Sequence, residues 1–540
     1  MKYSSLLLMG VLLVSCNMKK EVDLIVLNAV VYTVNNDFDK QSAFAVRDGR
    51  FVELGSTDEI LSKYKSGSVI DLEGKAVYPG FIDAHSHFMG YAVNLQNADL
   101  TGLDSENAVM EKLKEHRDAY PSEWLVGRGW DQNRWPEKKF PNKKQLDEIF
   151  PDIPVVLVRI DGHAVWVNSE AMRRLGVKPG DVRIVKEEAF EQNGEFTGVF
   201  IENAADLFRS AVPQPSIESM ERLLETAQRN CFAVGLTMVT DAGIDKASIL
   251  LLDSLQKQDR LKIRVDAWMN PDEVTMSYFK VPYRTERLNV SAVKLYADGA
   301  LGSRGALLLE PYSDDSKIRG VTTNSESYIR SICEKALNSG LQVATHCIGD
   351  SANRLMLRIY GDFLKGANDL RWRIEHAQIV DQEDVSLFAK YCVIPSVQPT
   401  HATSDMHWAT ERIGDRIRNA YAYKFLMNQL GWIPSGTDFP IENISPIYTF
   451  YAAAVRKDLQ GFPENGFQPE NALTREEALK SVTRWAAQAS FSEKEVGSIE
   501  AGKYADFVVL DRDIMLADEQ EIPQTKVVHT YIQGEKVHEP

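Results

Sequence analysis

The sequence predicts an α/β protein: a TIM (β/α)8 barrel with a long insertion after its first strand, plus a small β-sandwich-like domain built from both chain ends. Three observations predict it. Eight apolar, strand-like runs alternate with helical patterns in the middle of the chain, the interval 88–215 is too long for a single crossover, and both ends consist of short β elements. The length of 540 residues suffices for a large barrel and a satellite domain.

The first residues are typical of an export signal. Residues 6–14 form an apolar run that is too short for a bilayer, which needs ~20 residues. The motif that follows ends in Cys16 and resembles a bacterial lipobox, so residues 1–15 are predicted to be a lipoprotein signal peptide, Cys16 the lipidated residue and residues 16–21 a tether. The predicted location is that of an exported bacterial lipoprotein, on the periplasmic side of the outer membrane or at the cell surface. An ordinary cleaved signal peptide with an incidental cysteine is the alternative.

Both ends of the mature chain carry β-hairpin patterns. Residues 22–79 contain an Asp-Gly turn at 48–49 between two apolar runs, and residues 490–540 contain an apolar strand and a final hairpin. Because these segments bracket the α/β middle, they are predicted to form one composite β domain. Residues 80–489 are then predicted to form the barrel, with the insertion 88–215 over its mouth.

Eight apolar runs supply the predicted barrel strands, and eight is the number that closes a TIM barrel. Helical patterns such as residues 216–233 and 325–339 fill the gaps, and the insertion holds strands of its own, including residues 155–160. The predicted barrel strands are 81–87, 236–240, 262–268, 292–296, 341–346, 372–376, 393–397 and 432–437.

Two histidines end the first predicted strand. His85 and His87 are separated by one residue, so both side chains project from the same face of the strand. Two imidazoles at one point can hold a divalent metal, although the alternative is two unrelated histidines among the ten in the chain. Active sites of such barrels lie at the C-terminal ends of the strands. Further potential ligands recur at or near these predicted ends: Lys294, His346, His376 and Asp438.

Composition and motifs argue against two function classes. The net charge of −16 disfavours nucleic-acid binding, because phosphate contacts need a basic face. A nucleophilic serine hydrolase is disfavoured as well, because the sequence has no G-x-S-x-G motif.

Several longer phrases carry a resemblance to a known family. They are GRGWD at 127–131, DGHAVWVN at 161–168, VKLYADGALGSR at 293–304, IEHA at 374–377 and QPTHATSDM at 398–406. On these phrases the chain resembles the amidohydrolase superfamily of metal-dependent hydrolases, and within it the YtcJ-like branch that includes N-substituted formamide deformylases. The resemblance covers nearly the whole mature chain.

The resemblance implies a set of metal ligands. His85 and His87 would hold the more buried metal together with Asp438, and His346 and His376 would hold the second. Lys294 would be N6-carboxylated, and its carbamate would bridge the two metals. The implied cofactor is a divalent metal, two zinc ions by preference, with iron, manganese and cobalt as alternatives. If Lys294 is instead paired to a carboxylate such as Asp298 or Asp438, the site holds one metal.

The resemblance also implies an activity, the hydrolysis of a C–N bond other than a peptide bond (amide, N-formyl or cyclic amide) by a metal-activated hydroxide. Asp438 would act as general base and then as general acid. His163 is the candidate donor to the oxyanion and a candidate substrate contact. The other candidate substrate contacts are Trp130, Tyr296, Arg304, Gln398 and His401. The implied partner is a small-molecule substrate of amide type, and no nucleic acid is expected to bind. Contact with the membrane is expected only through the lipid anchor. The possibility of a homodimer stays open.

Three alternatives remain beside the amidohydrolase prediction. A mononuclear deaminase on the same fold usually carries a glutamate three residues after the histidine of strand five, where this chain has Gly349. A metal-assisted isomerase and a non-catalytic, lipid-anchored binding protein are the other two. The binding protein predicts eroded ligands, and all six ligand positions are present.

Overall fold

The computed structural model describes residues 19–213 and 215–540. The predicted signal peptide and residues 16–18 of the predicted tether, including Cys16, therefore lie outside the described residues. Within the described ranges, no helix combines the length and the apolar character needed to cross a membrane.

Seven parallel strands form the barrel sheet, and each neighbour in space is also the next barrel strand along the chain. This order confirms the predicted α/β barrel, in a nearly closed form. A short antiparallel strand, Tyr283–Arg284, is added beside the fourth strand. The seven strands are Phe81–Ser86, Leu236–Ile244, Arg264–Met269, Leu288–Tyr296, Gln342–Cys347, Arg373–His376 and Ile394–Ser396.

The predicted eighth strand, residues 432–437, is wrong as a continuous strand. Ser435 forms a single parallel bridge with Val397, and its carbonyl oxygen accepts the N–H of Ala84 in the first strand. The segment therefore still joins the seventh strand to the first. It cannot extend a regular ladder because Pro434 has no N–H to donate and Asp438 has a positive φ of 61°.

The barrel helices alternate with these strands and cover the outside of the sheet. The predicted helices at 216–233 and 325–339 are confirmed within one residue, and each begins after a serine, Ser216 or Ser325, whose side chain accepts a backbone N–H of the first turn. The helices of the barrel region are Phe88–Asn94, Ile217–Ala233, Lys246–Lys257, Glu273–Tyr278, Glu326–Ser339, Asp350–Leu364, Ser386–Tyr391, Pro399–Asp405, Ala409–Ile413, Tyr423–Leu430, Pro446–Val455, Arg475–Ser481 and Arg484–Ala489.

The segment between the first two barrel strands builds a separate mixed sheet with its own hydrophobic core. The strand predicted at 155–160 is present. The strands of this insertion are Ala98–Asp99, Leu125–Trp130, Val155–Arg159, Ala164–Val167, Ala189–Gln192 and Glu195–Ile201. Its helices are Glu106–Ala119, Lys144–Ile149, Ser169–Leu175 and Glu202–Arg209.

Strands from both ends of the chain share one six-stranded sheet. Ala76–Pro79 pairs antiparallel with Phe507–Leu510, which joins Val30–Tyr32 and Lys40–Gln41 on one side to the C-terminal strands on the other. A four-stranded sheet faces it across a core that contains Phe44, Phe507 and Tyr531 side chains. The C-terminal strands are Val527–Ile532 and Glu535–His538, and the second sheet contains Leu24–Leu27, Ala43–Arg47, Arg50–Gly55 and Val69–Asp71.

Candidate metal centre

His85 lies at the C-terminal end of the first barrel strand, and His87 directly follows that strand. The ring centroids of His85 and His87 are 5.6 Å apart, and His85 is completely buried. Asp438 reaches them from the segment that closes the barrel, with its Oδ1 3.2 Å from His87 Nε2 and 3.6 Å from His85 Nε2. Each of the three residues offers a ligand atom within 4.8 Å of the other two, a spacing that suits one metal ion.

A second group shares the same carboxylate. His376, His401 and Asp438 also offer ligand atoms within 4.8 Å of one another, and His401 Nε2 lies 3.8 Å from Asp438 Oδ2. His401 was predicted only as a substrate contact, so the sequence reasoning missed it as a candidate metal ligand. His346 lies next to the group, with its ring centroid 4.6 Å from that of His376 and its Nε2 3.5 Å from the carbonyl oxygen of Gly299.

The donor atoms at this point fit a divalent cation. Asp438 Oδ1 and His401 Nε2 are both shielded from solvent and have no hydrogen-bond partner among the described residues, whereas buried polar atoms are normally paired. Burial alone would raise the pKa of Asp438, but the neighbouring imidazoles of His87 and His401 and the charge of Lys294 outweigh it and lower the pKa. Asp438 is therefore an anionic, incompletely bonded carboxylate surrounded by imidazoles, which is the donor chemistry that zinc-type metals prefer.

The backbone at this centre is held in an uncommon conformation. His376 has a φ of 72° and Asp438 a φ of 61°, both in the left-handed region that non-glycine residues rarely adopt. Gly436 is needed for another reason, since a Cβ added there would lie 2.4 Å from the backbone nitrogen of His85. Such strain persists only where the surrounding structure imposes it, and it is common at functional sites.

Glu375 orients the more buried histidine and was missed by the sequence reasoning. Its Oε2 lies 2.6 Å from His85 Nδ1, and Arg373 Nε donates to its other oxygen at 2.7 Å. With Nδ1 bonded to Glu375, the Nε2 of His85 is directed to the centre as a ligand atom. Strand alternation could have found the pair, because Arg373 and Glu375 share one face of their strand.

Gln398 orients His376 in the way that Glu375 orients His85. Its Oε1 accepts a hydrogen bond from His376 Nδ1 at 2.7 Å, and its side chain is almost completely buried. Gln398 was predicted as a substrate contact. Its position instead fixes the ring of His376, which leaves Nε2 of that ring available for a metal.

Lys294 lies deep in the barrel, beside the histidine pair. Its Nζ is 3.2 Å from His85 Nε2 and forms no ion pair with any carboxylate of the described ranges. The alternative of a lysine paired to Asp298 finds no support, because Asp298 instead accepts the backbone N–H groups of Leu307, Ile348 and Gly349. Burial lowers the pKa of Lys294 to about 8, although the charges of Glu375 and Asp438 oppose this shift.

The insertion delivers His163 to the same end of the barrel. Its ring centroid lies 5.6 Å from that of His346, and its Nδ1 is 2.9 Å from Glu202 Oε2. Burial would lower the pKa of His163, but the charge and the hydrogen bond of Glu202 outweigh burial and raise it to about 9. His163 therefore carries a proton and a positive charge at neutral pH.

No sequence motif marks Glu202 as the partner of His163. Glu202 begins a helix of the insertion with a φ of 48°, about 40 residues after its partner in the chain. Its Oε1 is buried without a hydrogen-bond partner and fits between two glycines, since a Cβ added at Gly299 or Gly305 would lie 2.5 Å from it. The antiparallel pairing of Ala164 with Ile201 places Glu202 beside His163, and the contact between the insertion and the loop after the fourth barrel strand places its Oε1 against the glycines.

The remaining predicted substrate contacts have different outcomes. Trp130 is wrong, because its indole is fully buried in the core of the insertion and donates to the carbonyl oxygen of Leu157 at 2.8 Å. Arg304 directs its guanidinium to Asp314, with Nη2 2.9 Å from Oδ2, rather than to the histidines. Tyr296 does lie at the centre, with its ring centroid 5.6 Å from that of His346, and burial raises its pKa to about 12, so it keeps its hydroxyl proton.

The profile of the amidohydrolase family matches residues 68–538 of the chain. The chain belongs to this family. The family is metal-dependent.

Two curated relatives and one solved structure illustrate the similarity. The putative amidohydrolase YtcJ of Bacillus subtilis is 31% identical over 94% of this chain and 98% of its own length. The N-substituted formamide deformylase of Arthrobacter pascens is 27% identical over 95% of this chain and 97% of its own length. The crystal structure of an uncharacterized metal-dependent hydrolase from Pyrococcus horikoshii superimposes with a TM-score of 0.75 at 28% identity, covering 92% of this chain and 99% of that one.

The role of Glu375 predicts a specific loss of metal affinity. Glu375→Gln keeps the shape of the side chain but removes the charge that holds His85, so we expect the metal affinity to fall about 10- to 100-fold. The measurement is competition of the purified protein with a metal chelator of known affinity.

The matched control is Glu477→Gln. Glu477 forms a hydrogen-bonded ion pair with Lys424 and is not among the residues that surround Asp438. The variant should keep the wild-type metal affinity. Equal affinities for Glu375→Gln and the wild type would contradict the orienting role of Glu375.

Proposed function

We propose that this amidohydrolase hydrolyses a C–N bond in a small amide-type molecule, such as an N-formyl compound, another amide or a cyclic amide. The observation that carries the proposal is the unsatisfied carboxylate of Asp438 between two groups of histidines at the C-terminal end of the barrel. The relative from Arthrobacter pascens, which is named for deformylation of N-substituted formamides, supports an amide-type substrate.

The proposed ligand set contains two groups. His85, His87 and Asp438 would hold one divalent ion, and His376 with Asp438 and either His346 or His401 would hold a second. The nitrogen and carboxylate donors favour zinc and also accept iron, manganese or cobalt. When bound, such an ion supplies Lewis acidity and lowers the pKa of water in the site.

We propose further that Lys294 is N6-carboxylated. Its buried amine forms no ion pair with a described carboxylate, and the lowered pKa leaves more of it as the neutral amine, the form that adds to CO2 with loss of one proton. The resulting carbamate would carry a negative charge into a region where the charge of Lys294 otherwise opposes cation binding. Each of the two oxygens on the carbamate carbon could then bind a divalent ion.

The side chains of the site suggest how the proton moves. Asp438 is ionised because its pKa is lowered, so it can accept a proton from the attacking water and return it to the leaving nitrogen. His163 is protonated and can donate a hydrogen bond to the oxygen that becomes negative during attack on the carbonyl carbon. Glu202 holds the ring of His163 in the orientation that this donation needs.

The test of this proposal combines metal loading with substrate screening. Protein loaded with zinc, and separately with manganese, should hydrolyse at least one member of a panel of N-formyl, N-acetyl and cyclic amides. A chelator should abolish this activity and added metal should restore it. Asp438→Asn should lower kcat by about 100-fold or more, because it removes both the general base and a ligand.

The control variant for this test is His529→Asn. His529 lies in the composite β domain, on a strand that pairs with Phe507–Leu510 and not in the barrel, so this variant should retain the wild-type kcat. Hydrolysis that survives complete metal removal would contradict the proposal. So would the absence of turnover across the whole panel by protein with full metal content.

We also propose export as a lipoprotein, on the basis of the sequence motif that ends at Cys16. Cys16→Ser in the full-length precursor, expressed in a bacterial host, should move the protein from the membrane fraction to the soluble fraction and remove labelling by a radioactive fatty acid. The matched control is Cys392→Ser, at a partly exposed cysteine of the barrel region. Unchanged membrane association of Cys16→Ser would contradict a lipid anchor at this residue.

A further inference from the structure

Arg128 lies beside the turn that presents His163. It belongs to the strand Leu125–Trp130 of the insertion, and its Nη2 donates to the carbonyl oxygen of Ile160 at 3.0 Å. A Cβ added at Gly162 would lie 3.5 Å from Arg128 Nη1, so the absence of a side chain at Gly162 leaves space against the guanidinium. Gly162 directly precedes His163, whose ring is next to that of His346.

This guanidinium has no counterion. Its Nε is shielded from solvent without an acceptor, and the described ranges contain no carboxylate in ion-pair contact with it. Other arginines nearby are paired: Arg159, on the neighbouring strand, contacts Asp131 and Asp161, and Arg209 contacts Asp206. Arg128 therefore differs from these neighbours in presenting N–H groups that no protein carboxylate uses.

An unpaired, partly buried guanidinium is unfavourable for the free protein. Burial, and after it the charge of Arg209, lowers the pKa of Arg128 to about 10, while the charges of Asp161 and Asp438 act in the opposite direction. Gly162, which lies against the guanidinium, directly precedes His163, and His163 lies beside His346, so Arg128 is on the His163 side of the metal centre. A ligand that brought an anionic group to Arg128 would supply the missing partner, and arginine suits planar or tetrahedral oxyanions because it can donate two parallel hydrogen bonds.

We infer that Arg128 binds an anionic oxygen group, a carboxylate or a phosphate, on the substrate, so that this enzyme acts on amides that carry an acidic group. The inference rests on the proposed amide hydrolysis, since Arg128 would position the far end of the same molecule whose C–N bond lies at Asp438. Arg128 would thus be a specificity residue and not a participant in bond cleavage.

The first test compares acidic and neutral substrates that share one skeleton. N-acetyl-β-alanine is compared with its methyl ester, and N-acetyl-2-aminoethyl phosphate with N-acetylethanolamine, so that the two pairs distinguish a carboxylate from a phosphate. We expect the wild type to prefer the acidic member of one pair. Arg128→Gln should lower the acidic-to-neutral ratio of kcat/KM for that pair at least tenfold, and Arg128→Lys, which keeps the charge without the fork, should lower it less.

The matched control is Arg174→Gln. Arg174 is also an arginine of the insertion, but it is more exposed and its Nε lies 3.0 Å from Glu170. This variant should keep the wild-type ratio within twofold. A ratio for Arg128→Gln that stays within twofold of the wild type would overturn the inference, and so would a wild type that prefers neither acidic compound.

The second test measures binding without turnover. Calorimetric titration of metal-loaded and of chelator-treated protein with the two acidic compounds separates binding by Arg128 from binding to the metal. Binding to the chelator-treated wild type and to Arg174→Gln, with at least tenfold weaker binding to Arg128→Gln, supports the inference even when no amide is hydrolysed. If this binding pattern is found and no amide is hydrolysed, the proposed hydrolysis is contradicted and Arg128 is still supported as an anion-binding residue.

The same titration identifies a failure of the inference alone. If amides are hydrolysed but the acidic compounds bind Arg128→Gln as tightly as the wild type, Arg128 is not the anion site. If Arg128→Gln does not fold, as judged by its circular dichroism and melting temperature, Arg128→Lys decides the matter. Unchanged binding and an unchanged ratio in Arg128→Lys then overturn the inference.

Discussion

Asp438 is a buried carboxylate whose charge has to be balanced, and the end of the barrel is arranged around it. It follows the segment that replaces an eighth strand, and its N–H donates to the carbonyl oxygen of His85 at 2.7 Å. The preceding residue, Thr437, is held by Asp83 through its N–H and its hydroxyl group. The interactions that complete the barrel therefore also fix the carboxylate among the histidines.

The buried charges beneath this carboxylate form one connected arrangement. Arg373 is paired with Glu375, which holds His85, and Arg373 also donates to Ser396 Oγ at 2.6 Å. Removing one member of such a set leaves another charge buried and unpaired, which costs about 3–5 kcal/mol. The histidines are held rigidly because their rings are hydrogen-bonded on the side away from the centre. The cost of breaking the set opposes any rearrangement.

The predictable part of this protein follows from two local rules. Strand alternation and the position of active sites at strand ends predict His85, His87, His346, His376 and Asp438 as ligands, and the structure places these side chains close together. The same rules miss residues that approach from other elements. His401 lies on the helix Pro399–Asp405, beyond the end of a strand, and Glu202 reaches His163 only through the folded insertion. Neither the spacing of residues along the chain nor its composition predicts the contact between Glu202 and His163.

Errors in the sequence prediction have physical causes as well. Trp130 belongs to a motif shared with a family, but an aromatic side chain in such a motif can serve the core of the insertion, and this one does. The segment 432–437 has the apolar character of a strand, yet Pro434 and the positive φ of Asp438 prevent a regular ladder. The departure from the ideal barrel coincides with the residue that the site needs most.

The most direct test of the account is anomalous diffraction from crystals of the metal-loaded protein, recorded at the absorption edge of the bound metal. The account predicts a peak about 2.0–2.2 Å from an oxygen of Asp438 and from nitrogens of His85 and His87. A second peak bounded by His376 and the other oxygen of Asp438 would show two ions. Full metal content with every peak outside the ligand distance of Asp438 would contradict the account.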